Sequence, residues 1–169
     1  MADRLTQLLG VFSLAATDRF RGAVEDSIGR GGAHAAALVH LDVHPGGSVS
    51  SLAAVLGVSQ PAAVKLADRL AADGLLERRR GPDLRTWALH LTPAGHAAAA
   101  RVLAARAREL DGLVGTLSPA EHQALEPLLE KLVAALADDR PRALQVCRLC
   151  DRDACCGSGP DCPLQHTVR

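Results

Sequence analysis

The chain has 169 residues, of which 48% are apolar and 2% aromatic, and its formal net charge at neutral pH is zero. This length and apolar content suffice for one hydrophobic core with a small appendage. The zero net charge excludes nucleic-acid binding through overall charge, so any such site must depend on where the arginines lie. Ala, Leu and Val dominate the apolar residues, which favours closely packed helices and a mainly α fold.

Two helices are predicted at the start of the chain. From Arg4 to about Ser27, apolar residues recur every three to four positions, as they do along an amphipathic helix. Glycines at 29, 31 and 32 should end this helix. The shorter apolar segment from His34 to Val43 predicts a second helix, which a His-Pro-Gly-Gly turn closes.

The next two predicted helices are short and are joined by a tight turn. Ser48 or Ser50 can cap a first helix, and Gly57 marks its end. Ser59 can cap a second helix that has a proline in its first turn, and Gly74 ends it. Two short helices joined through a glycine-containing turn are typical of a helix-turn-helix.

A basic β-hairpin is predicted directly after these helices. Partial alternation of apolar residues on both sides of a Gly-Pro-Asp tip, between Leu75 and Leu91, indicates two antiparallel strands. Taken alone, a run of arginines is typical of a solvated strand edge. Next to a helix-turn-helix, the same run favours contact with DNA. The candidate arginines of this wing are Arg78, Arg79, Arg80 and Arg85.

Specific roles on DNA can be assigned by residue type. The second short helix is narrow enough for the major groove, where Gln can pair with adenine and Lys or Arg can reach guanine or phosphate. We assign Arg85 to the minor groove, where negative potential is focused, and Asp83 to holding the wing in shape by pairing with an arginine. The candidate contact residues of the second helix are Ser59, Gln60, Lys65 and Arg69.

The C-terminal half is predicted to contain two further helices. A Thr-Pro pair at 92–93 begins one long helix, and a Ser-Pro-Ala-Glu capping box at 118–121 opens a last helix that reaches about Asp139. Pro127 removes a backbone hydrogen bond inside that helix and should kink it. The Arg-Pro pair at 140–141 is interpreted as the hinge to a tail.

Several of these segments resemble the MarR family of regulators. The resemblance covers about residues 4–139 and rests on Ser-Gln-Pro-Ala-Ala-Val-Lys-Leu-Ala-Asp-Arg-Leu at 59–70, Gly-Leu-Leu at 74–76, Asp-Leu-Arg at 83–85 and Leu-Thr-Pro-Ala-Gly at 91–95. It implies a winged helix-turn-helix with a two-stranded wing and long N- and C-terminal helices that form a homodimer. Such a dimer would hold two recognition helices ~34 Å apart on a pseudo-palindromic operator of double-stranded DNA, as a repressor. It also implies a small-molecule or redox effector that releases the DNA.

Four parts of the chain follow from this interpretation. They are an N-terminal dimerisation helix (1–33), a winged helix-turn-helix domain (34–92), C-terminal dimerisation helices (93–140) and a cysteine-rich tail (141–169). A rival hypothesis is a metal- or redox-responsive protein–protein adaptor that kept the fold but does not bind DNA. No nucleophile–base pair, phosphate loop or paired-carboxylate motif stands out, so we do not expect an enzyme. The sequence has no signal peptide pattern or long apolar run, so we expect a cytoplasmic protein without a membrane partner.

All five cysteines lie between Cys147 and Cys162, in a segment rich in Gly, Pro and Asp. In a reducing cytosol, metal ligation or thiol chemistry explains such crowding better than structural disulfides do. The segment is too short and polar to be ordered by hydrophobic burial, so we expect four thiolates around a metal ion to order it. The candidate ligands are Cys147, Cys150, Cys155 and Cys162.

Zinc is our first choice for this site, with an iron–sulfur cluster as the alternative. A metal-free switch, in which Cys155 or Cys156 resolves a disulfide, and a disordered tail stay open as well. Similar tails in MarR-like proteins keep the Cys-x2-Cys-x4-Cys portion, which implies that Cys156 is surplus. Among the histidines, His166 is a substitute ligand. Three others, His34, His40 and His44, are interpreted as packing or solvent-exposed residues.

Overall fold

A computed structural model describes residues 3–80, 87–157 and 161–168. Within these ranges the helices are α1 (Arg4–Ile28), α2 (Gly32–Val43), α3 (Val49–Leu56), α4 (Gln60–Ala72), α5 (Pro93–Val114), α6 (Pro119–Ala134), α7 (Arg140–Val146) and α8 (Arg152–Cys156). A 3-10 turn covers Gln165–Val168. Strands β1 (Leu76–Arg80) and β2 (Trp87–Leu91) pair antiparallel between α4 and α5. The predicted mainly α, winged helix-turn-helix fold is confirmed.

Short polar side chains set the helix starts, largely where the sequence predicts them. Ser48, Ser59 and Thr92 each accept a hydrogen bond from the backbone N–H three residues ahead. Gly57 ends α3 with a positive φ of 65°, which glycine adopts without steric cost. α2 begins two residues before the predicted His34, because Gly31 supplies the extended N-cap.

The main core lies where α2, α3, α4 and α5 meet the base of the hairpin. Gly95, in the first turn of α5, lies so close to the hairpin base that a Cβ atom there would overlap the carbonyl oxygen of Leu75. The Thr92 hydroxyl donates a hydrogen bond of 2.6 Å to the Gly74 carbonyl at the same junction. These contacts fix the hairpin against α5. The fully buried leucines of the core are Leu38, Leu41, Leu52, Leu70 and Leu89.

Two helices leave apolar side chains uncovered. The first half of α1, from Arg4 to Ala15, is exposed throughout, and α6 buries none of its residues within the chain. The α1 stripe is formed by Leu5, Leu8, Leu9 and Phe12. The α6 stripe is formed by Leu128, Leu129 and Leu132, together with Leu136 just beyond the end of the helix. Both stripes follow the three- and four-residue spacing of a helix face that packs against another element.

The C-terminal region differs from the predicted arrangement in three respects. The helix that contains Pro127 ends at Ala134, so the predicted extension to Asp139 is wrong. The predicted hinge at 140–141 is instead the first turn of α7, because the Asp139 carboxylate accepts a 2.8 Å hydrogen bond from the Arg142 backbone N–H. The tail also buries a small apolar cluster, so the expectation that it lacks hydrophobic burial is wrong. That cluster contains Ala137, Ala143 and Leu164.

No single helix in the described part of the chain is long and apolar enough to cross a membrane. Within that part, the one helix pair that together reaches the required apolar length is α3 and α4, which are bent by 108°. The pair contributes Leu52, Leu66 and Leu70 to the main core.

Candidate nucleic-acid interface and cysteine cluster

Helices α3 and α4 form the predicted helix-turn-helix. Their axes differ by 108°, within the range typical of this motif. One face of α4 packs into the core through Leu66 and Leu70, which turns its other face to solvent. All four predicted contact residues are exposed on this outer side, and within the described residues neither lysine nor arginine among them forms an ion pair. They are Ser59, Gln60, Lys65 and Arg69.

The described part of the wing holds its arginines against the chain itself. Arg78 pairs with Asp68 of α4 at 2.7 Å, and Arg79 Nε donates to Glu77 Oε1 at 2.8 Å. Arg80 lies opposite Trp87 in the strand ladder, with its guanidinium 4.3 Å from the indole centroid. Exposed ion pairs of this kind contribute only about 0–1 kcal/mol, so a phosphate group can replace the carboxylate at low cost.

Sequence reasoning did not identify the role of Asp68. Its pairing with Arg78 joins the wing to α4, whereas the sequence predicts an arginine pairing within the wing for Asp83. An acidic residue on the exposed face of an otherwise basic helix was the available signal. Asp83 and Arg85 lie outside the described residues, so their predicted roles remain predictions.

The five cysteines come together around two adjacent clefts formed by α2, α6, α7 and the tail. Cys155 is exposed, and the other four thiols are half-buried. A side-chain hydrogen bond with Cys150 lowers the pKa of Cys147, whereas the same interaction and burial raise the pKa of Cys150. Burial raises the pKa of Cys155 and of Cys156 as well.

The metal-site prediction concerns residues that all lie in the described part. In that part, no three side chains of His, Cys, Asp or Glu are arranged to hold a metal ion. The predicted set of Cys147, Cys150, Cys155 and Cys162 is thus close in space but not preassembled. His166, the substitute ligand, has ring nitrogens 3.1 Å and 3.0 Å from the carbonyl oxygens of Pro163 and Ala137.

His40 of α2 and His44, the C-cap of that helix, face the tail. His40 is 9% exposed, and its ring lies 4.8 Å from that of His44. Burial lowers the pKa of His40 to about 4, so the ring is neutral at physiological pH. Burial, with the nearby charges of Arg152 and Arg140, also lowers the pKa of His44. The burial of His40 agrees with the packing role expected from the sequence.

Helix α7 links the cysteine cluster to the helix-turn-helix, a connection that the sequence did not reveal. The Gln145 side-chain amide donates a 2.9 Å hydrogen bond to the Ala54 carbonyl in the last turn of α3. It also lies beside Gly57, because a Cβ atom there would be 3.9 Å from Gln145 Nε2. Cys147, two residues later, caps the end of α7. The tail is therefore attached directly to the turn between α3 and α4.

Comparisons with known proteins agree with this geometry. Residues 28–85 match the family model described as the MarR family. A curated protein from Thauera aromatica, described as a candidate transcriptional regulatory protein for the hcr operon, is 38% identical over 90 residues. That match covers 53% of this chain and 54% of the relative, so the chain spans about half the length of the curated protein that it matches.

Solved structures share the fold over a larger part of the chain. YusO from Bacillus subtilis has a TM-score of 0.68 at 24% identity, covering 78% of this chain and 93% of that one. A MarR-family transcriptional regulator from Silicibacter pomeroyi has a TM-score of 0.58 at 26% identity, covering 75% and 88%. Over residues 28–85 the chain is similar to the MarR family, and its fold is similar to that of the solved MarR-family regulator from Silicibacter pomeroyi.

Proposed function

We propose that this protein is a DNA-binding transcriptional repressor that acts as a homodimer on a pseudo-palindromic operator. The observation that carries the proposal is the outer face of α4, where Gln60, Lys65 and Arg69 are all exposed. The adjacent wing adds further arginines, and together they form a local basic surface on a chain with no net charge. The names of the Thauera aromatica and Silicibacter pomeroyi relatives support a role in transcription.

The exposed stripes of α1 and α6 support the homodimer. A helix that buries nothing within its own chain but carries three exposed leucines, with a fourth just beyond its end, needs a partner to cover them. A second copy would supply the same two stripes in a two-fold arrangement. Two-fold symmetry would then present two α4 helices to successive major grooves.

Fluorescence anisotropy with duplex fragments of the source genome, measured over a series of salt concentrations, tests DNA binding. We expect affinity to fall as salt rises, because phosphate contacts release counterions. Lys65→Ala and Arg85→Ala should each lower affinity by about 1–3 kcal/mol at fixed salt. The matched control is Arg108→Ala, an exposed arginine of α5 on neither α4 nor the wing. Absence of any salt-dependent binding would favour the adaptor hypothesis, and equal effects of all three substitutions would contradict the assigned surface.

The cysteine cluster forms the second part of the proposal, as a zinc site or thiol sensor. Its support is the proximity of five thiols around two adjacent clefts. Elemental analysis and an absorption spectrum of anaerobically purified protein test it, with Cys150→Ser as the variant. Stoichiometric zinc that is lost in the variant supports the first choice, whereas brown colour indicates an iron–sulfur cluster. Metal-free protein would favour the hypothesis of a metal-free thiol switch.

A further inference from the structure

Helix α7 packs against α3, next to the turn that leads into α4. The Gln145 side-chain amide donates a 2.9 Å hydrogen bond to the Ala54 carbonyl of α3 and would lie 3.9 Å from a Cβ atom at Gly57 in that turn. The family-model match at 28–85 ends well before α7. This helix therefore lies outside the matched segment but directly beside the helix-turn-helix.

Arg142 is the cationic residue of α7 that Gln145 holds near this turn. The Arg142 guanidinium donates a 3.3 Å hydrogen bond to Gln145 Oε1, while Nε2 of the same amide donates to the Ala54 carbonyl. One side chain thus bridges the guanidinium of Arg142 to the last turn of α3. Because the bridging amide is planar and bonded at both ends, it keeps the positive charge close to the start of α4.

The guanidinium of Arg142 is available to an outside partner. The residue is exposed and forms no ion pair with any described residue. The carboxylate nearest to it along the chain, that of Asp139, accepts a 2.8 Å hydrogen bond from the Arg142 backbone N–H. A guanidinium has five N–H donors. The bond to Gln145 uses one of them, so the remaining donors can bind an anion.

The turn before α4 should lie against the sugar-phosphate backbone of a bound duplex. In a helix-turn-helix, the first residues of the second helix contact base edges in the major groove. That groove is about 12 Å wide, and a helix with its side chains is about 10–12 Å across, so the helix fills it. The residues that lead into α4 must therefore pass one of the phosphate strands that line the groove. A cation beside this turn meets a phosphate group there.

We propose that Arg142 binds a backbone phosphate of double-stranded DNA beside the major groove that α4 occupies, and that Gln145 positions its guanidinium for this contact. The inference rests on the proposed function and adds α7 to the two contact elements already described, α4 and the wing. Guanidinium groups bind phosphate through paired, charge-assisted hydrogen bonds. A phosphate contact carries no sequence information, so Arg142 adds affinity without selecting the operator.

Arg142→Ala tests the contact on the full chain by fluorescence anisotropy over a series of salt concentrations. The duplexes are the tightest-binding genomic fragment and a random sequence of equal length. Loss of one phosphate contact lowers the slope of log affinity against log salt by about 0.9, or by about 1.8 when a homodimer loses it twice. At about 0.1 M salt we expect roughly tenfold weaker binding, by the same factor for both duplexes, because both present the same phosphates.

Arg140→Ala is the matched control, because it removes the same charge from the same helix. Residues two positions apart lie on opposite sides of a helix, and Arg140 lines the cleft towards α2. Its substitution should leave the salt slope almost unchanged. Arg142→Lys keeps the positive charge and should keep the wild-type slope. Equal losses in the two alanine variants would show that α7 acts only through its overall charge and would overturn the proposed contact.

Gln145→Ala tests the positioning role. It removes the bridge to Ala54 but leaves the charge of Arg142, so DNA affinity should fall by a smaller factor, roughly threefold. In the Arg142→Ala background the same substitution should have no further effect, because there is no guanidinium left to position. An equal fall in both backgrounds would show a merely structural effect and would contradict the positioning role.

Urea unfolding of each variant verifies that these substitutions leave the fold intact. An Arg142→Ala protein that binds DNA with wild-type affinity and slope would refute the contact alone. A loss confined to the genomic duplex would also refute it, since that result indicates a base contact. Absence of DNA binding by the wild-type protein would refute the proposed function together with this contact.

Discussion

Truncation of one leucine in the α6 stripe should weaken the proposed homodimer markedly. Leu132 lies between Leu128 and Leu136 along this stripe and is 49% exposed in the single chain. In the homodimer we expect that exposed half to be covered by the partner. Leu132→Ala should therefore reduce dimer affinity without affecting the fold of each chain, because alanine has a high helix propensity and α6 buries nothing internally.

The magnitude follows from the exposed fraction. The substitution removes three carbon atoms, each contributing about 0.8 kcal/mol when fully buried. Since about half of the side chain remains to be covered, the loss is about 1.2 kcal/mol per chain. A two-fold interface contains the residue twice, which gives about 2.4 kcal/mol per dimer. This corresponds to a dissociation constant raised by about 50-fold.

Sedimentation equilibrium over a range of protein concentrations measures this change directly. The matched control is Gln123→Ala, an exposed residue on the opposite side of the same helix, which should leave the dissociation constant unchanged. A wild-type chain that is monomeric at every concentration would refute the reasoning. An unchanged constant in Leu132→Ala would show that the stripe does not form the interface.

Two further predictions concern the fold itself. Gly95→Ala should destabilise the chain by about 3 kcal/mol in urea unfolding, because the new Cβ overlaps the Leu75 carbonyl. The control is Gly112→Ala in the same helix, which has open space and should be neutral or stabilising. Equal effects of the two substitutions would contradict this packing. Burial lowers the pKa of His40 from 6.5 to about 4, so the unfolded chain binds a proton that the folded chain does not in this interval. The free energy of unfolding should therefore be highest above pH 6.5 and fall on acidification towards pH 4, by up to about 1.4 kcal/mol per pH unit. Urea titrations at several pH values should show a smaller fall in His40→Phe, and an identical pH dependence in both proteins would refute the assignment.

The sequence by itself determined most of the local structure, because the signals are local. Ser48, Ser59 and Thr92 each end an extended segment and cap the helix that follows, and Gly57 supplies the left-handed turn between the two short helices. Their order along the chain was enough to predict the helix-turn-helix, the hairpin and the exposed face of α4.

Tertiary contacts between distant residues decided the rest. The pairing of Arg78 with Asp68 joins two elements whose separate patterns do not reveal which arginine has a partner. The tail gains its small core only when Leu164 meets Ala137 and Ala143. The glycines and prolines of the tail, considered without these contacts, therefore predict less ordered structure than the tail has.

The cleft between α2 and the tail depends most clearly on contacts between residues that are far apart in the sequence. His40 and His44 are four residues apart at the end of α2, and that spacing alone predicts packing or solvent exposure. Only the folded chain places Arg140 and Arg152, about 100 residues further along, beside the same cleft. Capping and periodicity act over a few residues and can be read in order, whereas cavities and unpaired charges depend on which distant surfaces meet.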